Sequence, residues 1–412
     1  MESVHKKSTS QNLTRNSHKT TIVRGLSDGT TNNAWRNVPN PGEDKTFTHI
    51  LRLHLFAGGD INGGTRDADE RSQISLYEEG IGGKTKLGPL MALRGIAGRL
   101  SRQTKPMQKR LEEVYQPGDK LYLVGYSRGA ASARKFAADL HKNGLTMKNG
   151  VKVEQPPIEF VGCFETVSSQ IVTRILQLLI TRFSRNITRS RAISEEGVIA
   201  PNVKKGVHNV AIDDNRMWKG TPFTFNPILM GDEEKITETW FAGEHGDVGG
   251  SYYSKGMPDC SLKYMMEWME GGLGEGNNLE FLKAEDIKPE SLVIDDYPAD
   301  FNVTDLKINA ADLSVSPDTT DRIHLNQEGQ NEPNNPSYRP VYVVKDDKMV
   351  EGATVKIHAS VLQHMEDMKK AGKKYNINPK IKDTDFVVVG ALGRELRDET
   401  KKLAELLSTD YA

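Results

Sequence analysis

An apolar strand that runs directly into a serine flanked by glycines constrains this chain more than any other feature. Residues 121–131 read LYLVGYSRGAA, with the pattern G-x-S-x-G centred on Ser127 and helix-forming residues after it. The tight turn needs Gly125 and Gly129, because a side chain at either position would collide with the neighbouring strand or helix. We therefore predict a strand, a sharp turn and a helix that together expose the hydroxyl of Ser127 as a nucleophile.

The start of that helix is also a favourable place for developing negative charge. Backbone amides at a helix N-terminus point outward, and the helix dipole favours an anion beside them. We expect the amide of Arg128 to supply one donor of an oxyanion hole. The bare pattern arises by chance in many proteins, but the strand before it and the helix after it favour the catalytic interpretation.

Short apolar runs alternate with segments of helical periodicity along most of the chain. We predict strands near 20–23, 47–56, 74–77, 121–125, 158–164, 207–212 and 237–241, and helices near 89–115, 132–140, 359–371 and 383–407. Strands separated by helical segments are typical of a mainly parallel sheet with helices on both faces. We therefore predict an α/β fold of the α/β-hydrolase type with a cap or insertion region.

We expect the chain to divide into four parts. Residues 1–20 are polar, which predicts a disordered leader, and residues 21–254 carry the hydrolase core. Residues 255–348 are rich in Asp, Asn and Pro and are interpreted as an irregular cap, and residues 349–412 as a helical part that packs on the core. Because the leader lacks a signal peptide's apolar stretch and no run of about 18 apolar residues occurs, we expect a cytoplasmic location in the producing cell.

The composition argues against several classes of function. A net charge of -1 lacks the basic excess typical of nucleic-acid-binding proteins, so we expect no nucleic acid partner. Cys163 and Cys260 are too few for a disulfide framework or a multi-cysteine zinc site. The segment 58–71 carries Asp and Asn oxygens without the spacing of an EF-hand, so we interpret it as a polar loop, with a bound cation as the less common alternative. We expect neither a metal nor a cofactor.

A serine nucleophile needs a base and an acid, which follow it in chain order in this fold. Glu165 comes directly after the strand at 158–164, where a carboxylate can hold the tautomer of a histidine. His245 follows the strand at 237–241 in a glycine-rich loop that can approach the serine. A lone histidine more often satisfies a loop hydrogen bond, but a serine, an acid and a histidine in order, each after a strand, favour a triad.

Other carboxylates in the same part of the chain leave the identity of the acid open. Asp213 and Asp214 follow the strand at 207–212 and are the alternative acids. Asp247 lies two residues beyond the histidine and is expected to orient its loop.

Several short motifs along the chain, in a fixed order, carry a family resemblance. They are residues 28–30, 77–82, 117–119, 125–130, 160–167, 208 with 213–216, 240–252 and 357–361. Together they resemble the α/β-hydrolase domain family of the first class of type VI secretion lipase effectors, which are phospholipases. The resemblance extends from about Ile22 to Pro379.

The resemblance implies functions for particular residues. It implies a triad of Ser127, Glu165 and His245, and it places the turn of Asp28, Gly29 and Thr30 beside the oxyanion hole. The family usually has Asp at the position of Glu165, and this chain shows no obvious module for membrane anchoring. The resemblance also implies a phospholipid substrate, a secretion apparatus that delivers the protein to a target cell, and an immunity protein.

Residues 168–191 show a basic amphipathic pattern directly after the acid. Apolar residues gather on one helical face and arginines flank them: Ile171, Ile175, Leu178, Leu179 and Phe183, with Arg174, Arg182, Arg185 and Arg189. Such a helix could lie in a membrane interface as a lid over the acyl pocket, which predicts peripheral membrane contact. A core-facing helix with solvated arginines is the alternative, and the sequence leaves both open.

These observations predict a serine hydrolase of carboxylic esters that forms an acyl-enzyme. Phospholipid acyl esters are the expected substrate, as for a phospholipase A and an antibacterial effector. A hydrolase of small soluble esters or acylated sugars is the first alternative, and a catalytically inactive hydrolase fold used as a binding module is the second.

Overall fold

The computed structural model describes residues 22–29, 32–34, 37–64, 73–80, 101–167, 199–214, 217–218, 221–222, 235–295, 308–324, 339, 341, 344–345, 348–349 and 353–408. Three of the predictions above lie outside these ranges: the leader at 1–20, the lid at 168–191 and Thr30 of the oxyanion turn.

Eight parallel strands form the main sheet of the described residues. They are β1 (Ile22–Ser27), β2 (Gln73–Glu78), β3 (Lys120–Tyr126), β4 (Ile158–Phe164), β5 (Val203–Ala211), β6 (Ile236–Phe241), β7 (Val355–His358) and β8 (Phe386–Val389). Their order across the sheet is β8-β7-β6-β5-β4-β3-β1-β2, and every pair is parallel. The central strand β4 is buried along its whole length, as expected where helices cover both faces.

The order of the strands reverses at β1. The chain passes from β1 to β2 on one side and then returns to form β3 on the other side. Between two such neighbours a crevice opens at the carboxyl ends of the strands, and ligands bind there in open α/β sheets. In the register of the sheet, Ser27 pairs with Gly125 and Phe164 pairs with Tyr126. The loops after β1, β3 and β4 therefore meet at one edge.

The helices of the described residues are α1 (His49–Phe56), α2 (Ser101–Val114), α3 (Arg128–Asn143), α4 (His245–Gly249), α5 (Gly256–Gly271), α6 (Ala310–Leu313), α7 (Ala359–Lys370) and α8 (Arg397–Ser408). Turns of 3₁₀ helix lie at Ala284–Asp286, Pro289–Leu292, Pro379–Asp383 and Ala391–Gly393. Short antiparallel pairs join Leu145–Thr146 to Lys152–Val153, Met217–Trp218 to Thr221–Pro222, and Val344–Lys345 to Lys348–Met349.

Helices cover both faces of the sheet. On one face, α2 and α3 pack in a cluster with inward residues of β3 such as Leu121 and Leu123. On the other face, α1 and α5 pack against the alternate residues Tyr122 and Val124. A third cluster joins β7 and β8 to α7 and α8. This alternation of side chains places the core on both sides of the strands and confirms the predicted α/β class.

The segment predicted as a strand at 47–56 is the helix α1. Thr48 caps it by accepting a hydrogen bond from the amide of Leu51, and every residue of the helix is buried. Arg52 and His54 alternate with leucines and so imitate a half-exposed strand in the sequence. Both polar side chains are buried against partners, Arg52 on Asp259 and His54 on Ser75, and this burial removes the polar face on which helical periodicity depends.

Residues 255–348 and 349–412, the last two of the four predicted parts, contain helices and strands that the sequence did not predict. Gly256–Gly271, inside the segment predicted to be irregular, forms the helix α5 and contributes to the core. The helix predicted at 383–407 is the strand β8 followed by α8, and β7 and β8 extend the main sheet. The run FVVV of β8 has few polar residues, so its period does not distinguish a short buried strand from a helix. The division into four parts stays a proposal.

No helix among the described residues is both long enough and apolar enough to cross a lipid bilayer.

The side chain of Asp60 accepts hydrogen bonds from backbone amides of its own polar loop at 58–64. One carboxylate oxygen of Asp60 accepts the amides of Asn62 and Gly64 at 2.9 and 3.0 Å. The side chain of Asn62 bonds to Val293 and Asp295. These contacts are those of a turn that is fixed by its Asp and Asn side chains.

A buried ion pair ties α1 to α5. Nη1 of Arg52 lies 2.6 Å from Asp259, and both side chains are fully buried. The remaining guanidinium groups donate to the carbonyls of Leu313 and Ser314, while Asp259 accepts the amide of Ser316 at 2.7 Å. The pair therefore also fixes the segment that contains α6.

We expect Asp259→Ala to lower the free energy of unfolding by about 3–5 kcal/mol, because Arg52 would remain buried without its counter-charge. Urea unfolding followed by circular dichroism measures this change. Asp139→Ala is the control, because it removes the partly exposed partner of Lys135 on α3 and should cost no more than about 1 kcal/mol. Equal small losses in both variants would show that the buried pair does not hold the two helices together.

Candidate active site

Ser127 occupies a strained turn between β3 and α3. Its φ and ψ are 56° and -120°, a conformation that residues other than glycine rarely adopt. A Cβ on Gly125 would lie 2.3 Å from the backbone of Gly129, and a Cβ on Gly129 would lie 1.9 Å from the carbonyl oxygen of Ser27. Both glycines are therefore required by close backbone contact. The strain at Ser127 costs about 1–3 kcal/mol, and surrounding structure must maintain it.

The loop after β4 is bonded to that turn. The amide of Ser127 donates to the carbonyl of Phe164 at 2.9 Å, and the amide of Val167 donates to the carbonyl of Ser127 at 3.0 Å. Glu165 lies between these two contacts and also has a positive φ, 47°. The backbone of the acid and the backbone of the serine thus hold each other in place.

Three partners surround the buried carboxylate of Glu165. Its Oε1 accepts the amide of Ala211 at 2.5 Å and Nη1 of Arg339 at 2.8 Å. Its Oε2 lies 3.3 Å from Nδ1 of His245. With Oε1 occupied by two donors, the second oxygen remains directed at the imidazole.

His245 is the first residue of the short helix α4. Its ring packs on that of Tyr126 with centroids 4.7 Å apart, and the Tyr126 hydroxyl donates to the His245 carbonyl at 3.2 Å. Tyr126 is the residue before Ser127, so the imidazole lies at the same edge of the sheet as the serine turn. An imidazole that donates from Nδ1 to a carboxylate keeps its lone pair on Nε2, the form that can accept a proton.

The two alternative acids have different surroundings. Asp214 is buried, and one carboxylate oxygen of Asp214, one of Glu165 and one imidazole nitrogen of His245 lie within 4.8 Å of one another. Asp213 instead accepts the amides of Gly243 and Asn378 at 2.7 and 2.8 Å. Burial raises the pKa of Asp213 to about 6, although these hydrogen bonds act in the opposite direction. Asp213 thus joins the loop after β6 to the C-terminal part of the chain.

Glu165, Asp214 and His245 also have the composition of a divalent metal site. The guanidinium of Arg339, 2.8 Å from Glu165, disfavours a second cation there by charge repulsion.

The turn after β1 lies beside the serine turn. Asp28 is buried and accepts the amide of Gly29 at 2.6 Å, the hydroxyl of Thr48 at 2.7 Å and that of Tyr77 at 2.8 Å. Burial raises its pKa to about 6, and the hydrogen bonds oppose this. A Cβ on Gly29 would approach the ring of Tyr126 to 2.9 Å. Asp28 therefore fixes a glycine turn that packs directly on the strand of the nucleophile.

Arg128 opens α3, so its amide lies in the first turn of that helix, next to Ser127. Its side chain is buried. The amide thus lies at a helix N-terminus directly after Ser127, where backbone donors favour an anion.

Asp247 and Glu244 form a capping box around α4. The carboxylate of Glu244 accepts the amide of Gly246 at 2.9 Å, and Asp247 accepts the amide of Glu244 at 2.9 Å. Each residue thereby satisfies a backbone donor that the helix itself leaves without a partner. The box fixes the turn from which His245 projects.

Arg339 and His208 contact the acid loop but were not identified as site residues from the sequence. The segment around Arg339 has no recognisable motif, and its guanidinium reaches both Glu165 and the carbonyl of Ala211, at 2.8 and 2.6 Å. Nε2 of His208 accepts the amide of Thr166 at 3.1 Å, so its Nδ1 donates to Glu238 at 3.0 Å. His208 belongs to one of the motifs that carry the family resemblance, which was the only signal for it.

Comparison with known proteins identifies the family. The family described as "T6SS, Phospholipase effector Tle1-like, catalytic domain" matches residues 19–153 and 145–268. None of the curated proteins matches the chain.

Three solved structures are similar to parts of the chain. An uncharacterized protein from Pseudomonas aeruginosa is 18% identical, with a TM-score of 0.36, over 60% of this chain and 45% of that one. The Tle1 effector bound to the VgrG spike from the type 6 secretion system is 18% identical, with a TM-score of 0.35, over 57% of this chain and 51% of that one. The RedJ thioesterase from the prodiginine pathway of Streptomyces coelicolor is 10% identical, with a TM-score of 0.27, over 58% of this chain and 91% of that one.

The chain spans about half the length of the first two structures. The family match extends over more than half of the chain and confirms the resemblance drawn from the motifs. This protein belongs to the family of Tle1-like catalytic domains of type VI secretion phospholipase effectors.

Proposed function

We propose that this protein is a serine hydrolase that cleaves the acyl esters of phospholipids through Ser127, His245 and Glu165. The observation that carries the proposal is the 3.3 Å approach of Glu165 Oε2 to His245 Nδ1 at the edge of the sheet where β3 turns at Ser127. A carboxylate on Nδ1 sets the tautomer that a general base needs. Membership of a phospholipase effector family supports the substrate class.

The reaction follows from these positions. Nε2 of His245 takes the proton of the Ser127 hydroxyl as its oxygen attacks the ester carbonyl, and the amide of Arg128 stabilises the resulting oxyanion. The tetrahedral intermediate expels the lysophospholipid alkoxide, which takes the proton from the imidazolium and leaves an acyl-enzyme. Water, deprotonated by the same imidazole, then attacks the acyl group and releases the fatty acid.

Glu165 is the acid in this proposal, although the family usually has Asp there. Its side chain is one methylene longer, and the bonds from Ala211 and Arg339 hold Oε1 so that the extra length does not release the carboxylate. Asp214 lies close enough to His245 to be the alternative. We favour Glu165, because it has a hydrogen-bonding distance to Nδ1 and because its backbone is bonded to the serine turn.

The strain at Ser127 argues against an inactive binding module. A serine with positive φ is costly, and such conformations persist mainly where function uses them. We further propose that the protein stays in the cytoplasm of the producing cell until a type VI secretion apparatus delivers it to a target cell, and that an immunity protein can neutralise it. Family membership supports this placement.

Ser127→Ala should abolish the release of fatty acid from phospholipid vesicles, because the nucleophile is lost while the packing around the turn is kept. Thin-layer chromatography of the lipids measures the loss, and labelling by a fluorophosphonate probe should disappear with it. Ser408→Ala on α8 is the matched control and should retain full activity and labelling.

Two other results would change the proposal. Full vesicle activity in Ser127→Ala would exclude this serine as the nucleophile. Activity on short soluble esters with none on vesicles would favour the soluble esterase instead.

Glu165→Gln should reduce kcat by about 10⁴-fold, since the loss of a triad carboxylate leaves the histidine in the wrong tautomer. Asp214→Asn, an equally isosteric change in the same group, should have little effect. Steady-state rates on a short-chain ester measure both, with circular dichroism as the check of folding. The reverse pattern would assign the triad acid to Asp214.

A further inference from the structure

A second histidine near the site, His324, joins two carboxylates that are far apart in the sequence. Its Nδ1 lies 2.6 Å from Oδ1 of Asp247, and its Nε2 lies 2.9 Å from Oδ2 of Asp44. Its backbone amide donates to Oδ2 of Asp247 at 2.9 Å. His324 thus connects the segment 308–324, the loop before α1 and the capping box of α4.

This geometry fits a charged imidazole between two ionised carboxylates. Ionised carboxylates only accept hydrogen bonds, and an imidazole donates from both nitrogens only when it is protonated. A neutral ring would leave one lone pair facing a carboxylate. Burial opposes the charge, but the hydrogen bonds and charges of Asp247 and Asp44 raise the pKa of His324 above its usual 6.5.

The ring of His324 is also fixed on its face. Tyr252 stacks on it with centroids 3.6 Å apart and planes 12° apart. The hydroxyl of Tyr252 donates to Glu244, which caps α4. His324 therefore supports both residues of the capping box, Asp247 directly and Glu244 through Tyr252. His245 begins the helix that this box defines.

We propose that protonated His324 is a positioning residue that holds α4, and with it the imidazole of His245, in place against Glu165. His324 does not contact the reacting atoms and acts through Asp247 and Tyr252. The proposal rests on the proposed function of His245 as the general base.

Among the charged groups around His324, the two carboxylates favour its cationic form and Arg322 opposes it. Arg322 pairs with Asp44, but its side chain is 61% exposed and so opposes the charge weakly. Burial works against ionisation of Asp44, yet the amide of Ser254 and the charges of His324 and Arg322 lower its pKa. Burial raises the pKa of Asp247, and His324 acts against this.

His364 and the buried Asp213 are two further titratable groups whose charges interact with Asp247. Like charge between Asp213 and Asp247 disfavours ionisation of both, which the cation on His324 offsets. Burial lowers the pKa of His364 below 6.5, so His364 loses its charge at a lower pH than His324 does. The ring of His364 bonds to the carbonyl of Thr319 and lies outside the clamp, by which we mean His324 with Asp44, Asp247 and Tyr252.

The clamp acts at low pH and the general base at high pH. Because the pKa of His324 is raised in the folded protein, its contribution is complete below 6.5 and is lost as the pH rises through the folded-state value. A general base, in contrast, gains activity as it loses its proton. The activity of the wild-type protein should therefore fall at alkaline pH as His324 loses its proton, and this fall is the alkaline limb of its pH profile.

The test compares His324→Gln, which is neutral at every pH, with His324→Arg, whose planar cation can donate to both carboxylates. His324→Gln should lower kcat on a short-chain ester by about 10- to 100-fold, as for a small displacement of a catalytic group, and should lose the alkaline limb. His324→Arg should keep activity into the alkaline range. His364→Gln is the control for a buried histidine outside the clamp and should retain the wild-type pH profile.

Hydrogen exchange of residues 244–250 tests the clamp without catalysis. In a Ser127→Ala background, exchange in this segment should accelerate with rising pH. The acceleration should be larger than the intrinsic effect of pH on amide exchange, which unstructured control peptides measure. His324→Gln should show fast exchange at every pH, and His324→Arg should show slow exchange. If Ser127→Ala remains active, the proposed function fails while this measurement still decides on the clamp.

An alkaline limb that persists in both variants, with unchanged exchange at 244–250, would overturn the proposal. If His324→Gln does not fold, His324→Arg carries the test: an alkaline limb at the wild-type position and wild-type pH dependence of exchange would then refute it.

Discussion

The close approach of backbone at Gly129 is the contact on which the rest of the site depends. The turn at Ser127 packs its helix so tightly against the end of β1 that a Cβ at Gly129 would lie 1.9 Å from the carbonyl of Ser27. This contact sets the distance between the β1 turn and Ser127, and hydrogen bonds to the β4 loop set the distance to Glu165. Gly129 and these hydrogen bonds therefore fix the spacing of three loops.

A second constraint is the number of buried charges in a small volume. Glu165 is balanced by Arg339, Asp28 by neutral donors and Asp247 by His324. Burying a carboxylate is costly unless it is paired or hydrogen-bonded, so each partner stabilises the position of its carboxylate as well as its charge. The charged groups hold the loops in a defined geometry at the open edge of the sheet, where apolar packing alone is least able to do so.

The sequence predicted the fold class and most of the strands of the main sheet. The strand at 158–164 has the predicted bounds, and the order of serine, acid and histidine along the chain agrees with the order of the loops at one edge. It failed at α1, where burial of every residue removes the polar face, and at β8, whose run FVVV contains no polar residue to reveal its period. Local pattern carries no information about a segment whose polar residues are themselves buried.

The sequence by itself determined the serine turn, because Gly125 and Gly129 are only four residues apart and the turn brings their backbones into close contact. It also placed Glu165 and His245 directly after strands. Since parallel strands end at a common edge of the sheet, both residues were expected at that edge. Only the tertiary structure decided which groups surround them. Arg339 and His324 lie 174 and 77 residues from the carboxylates of Glu165 and Asp247, and no local periodicity relates residues so far apart. Their positions follow from how the segments pack, which is a property of the whole fold.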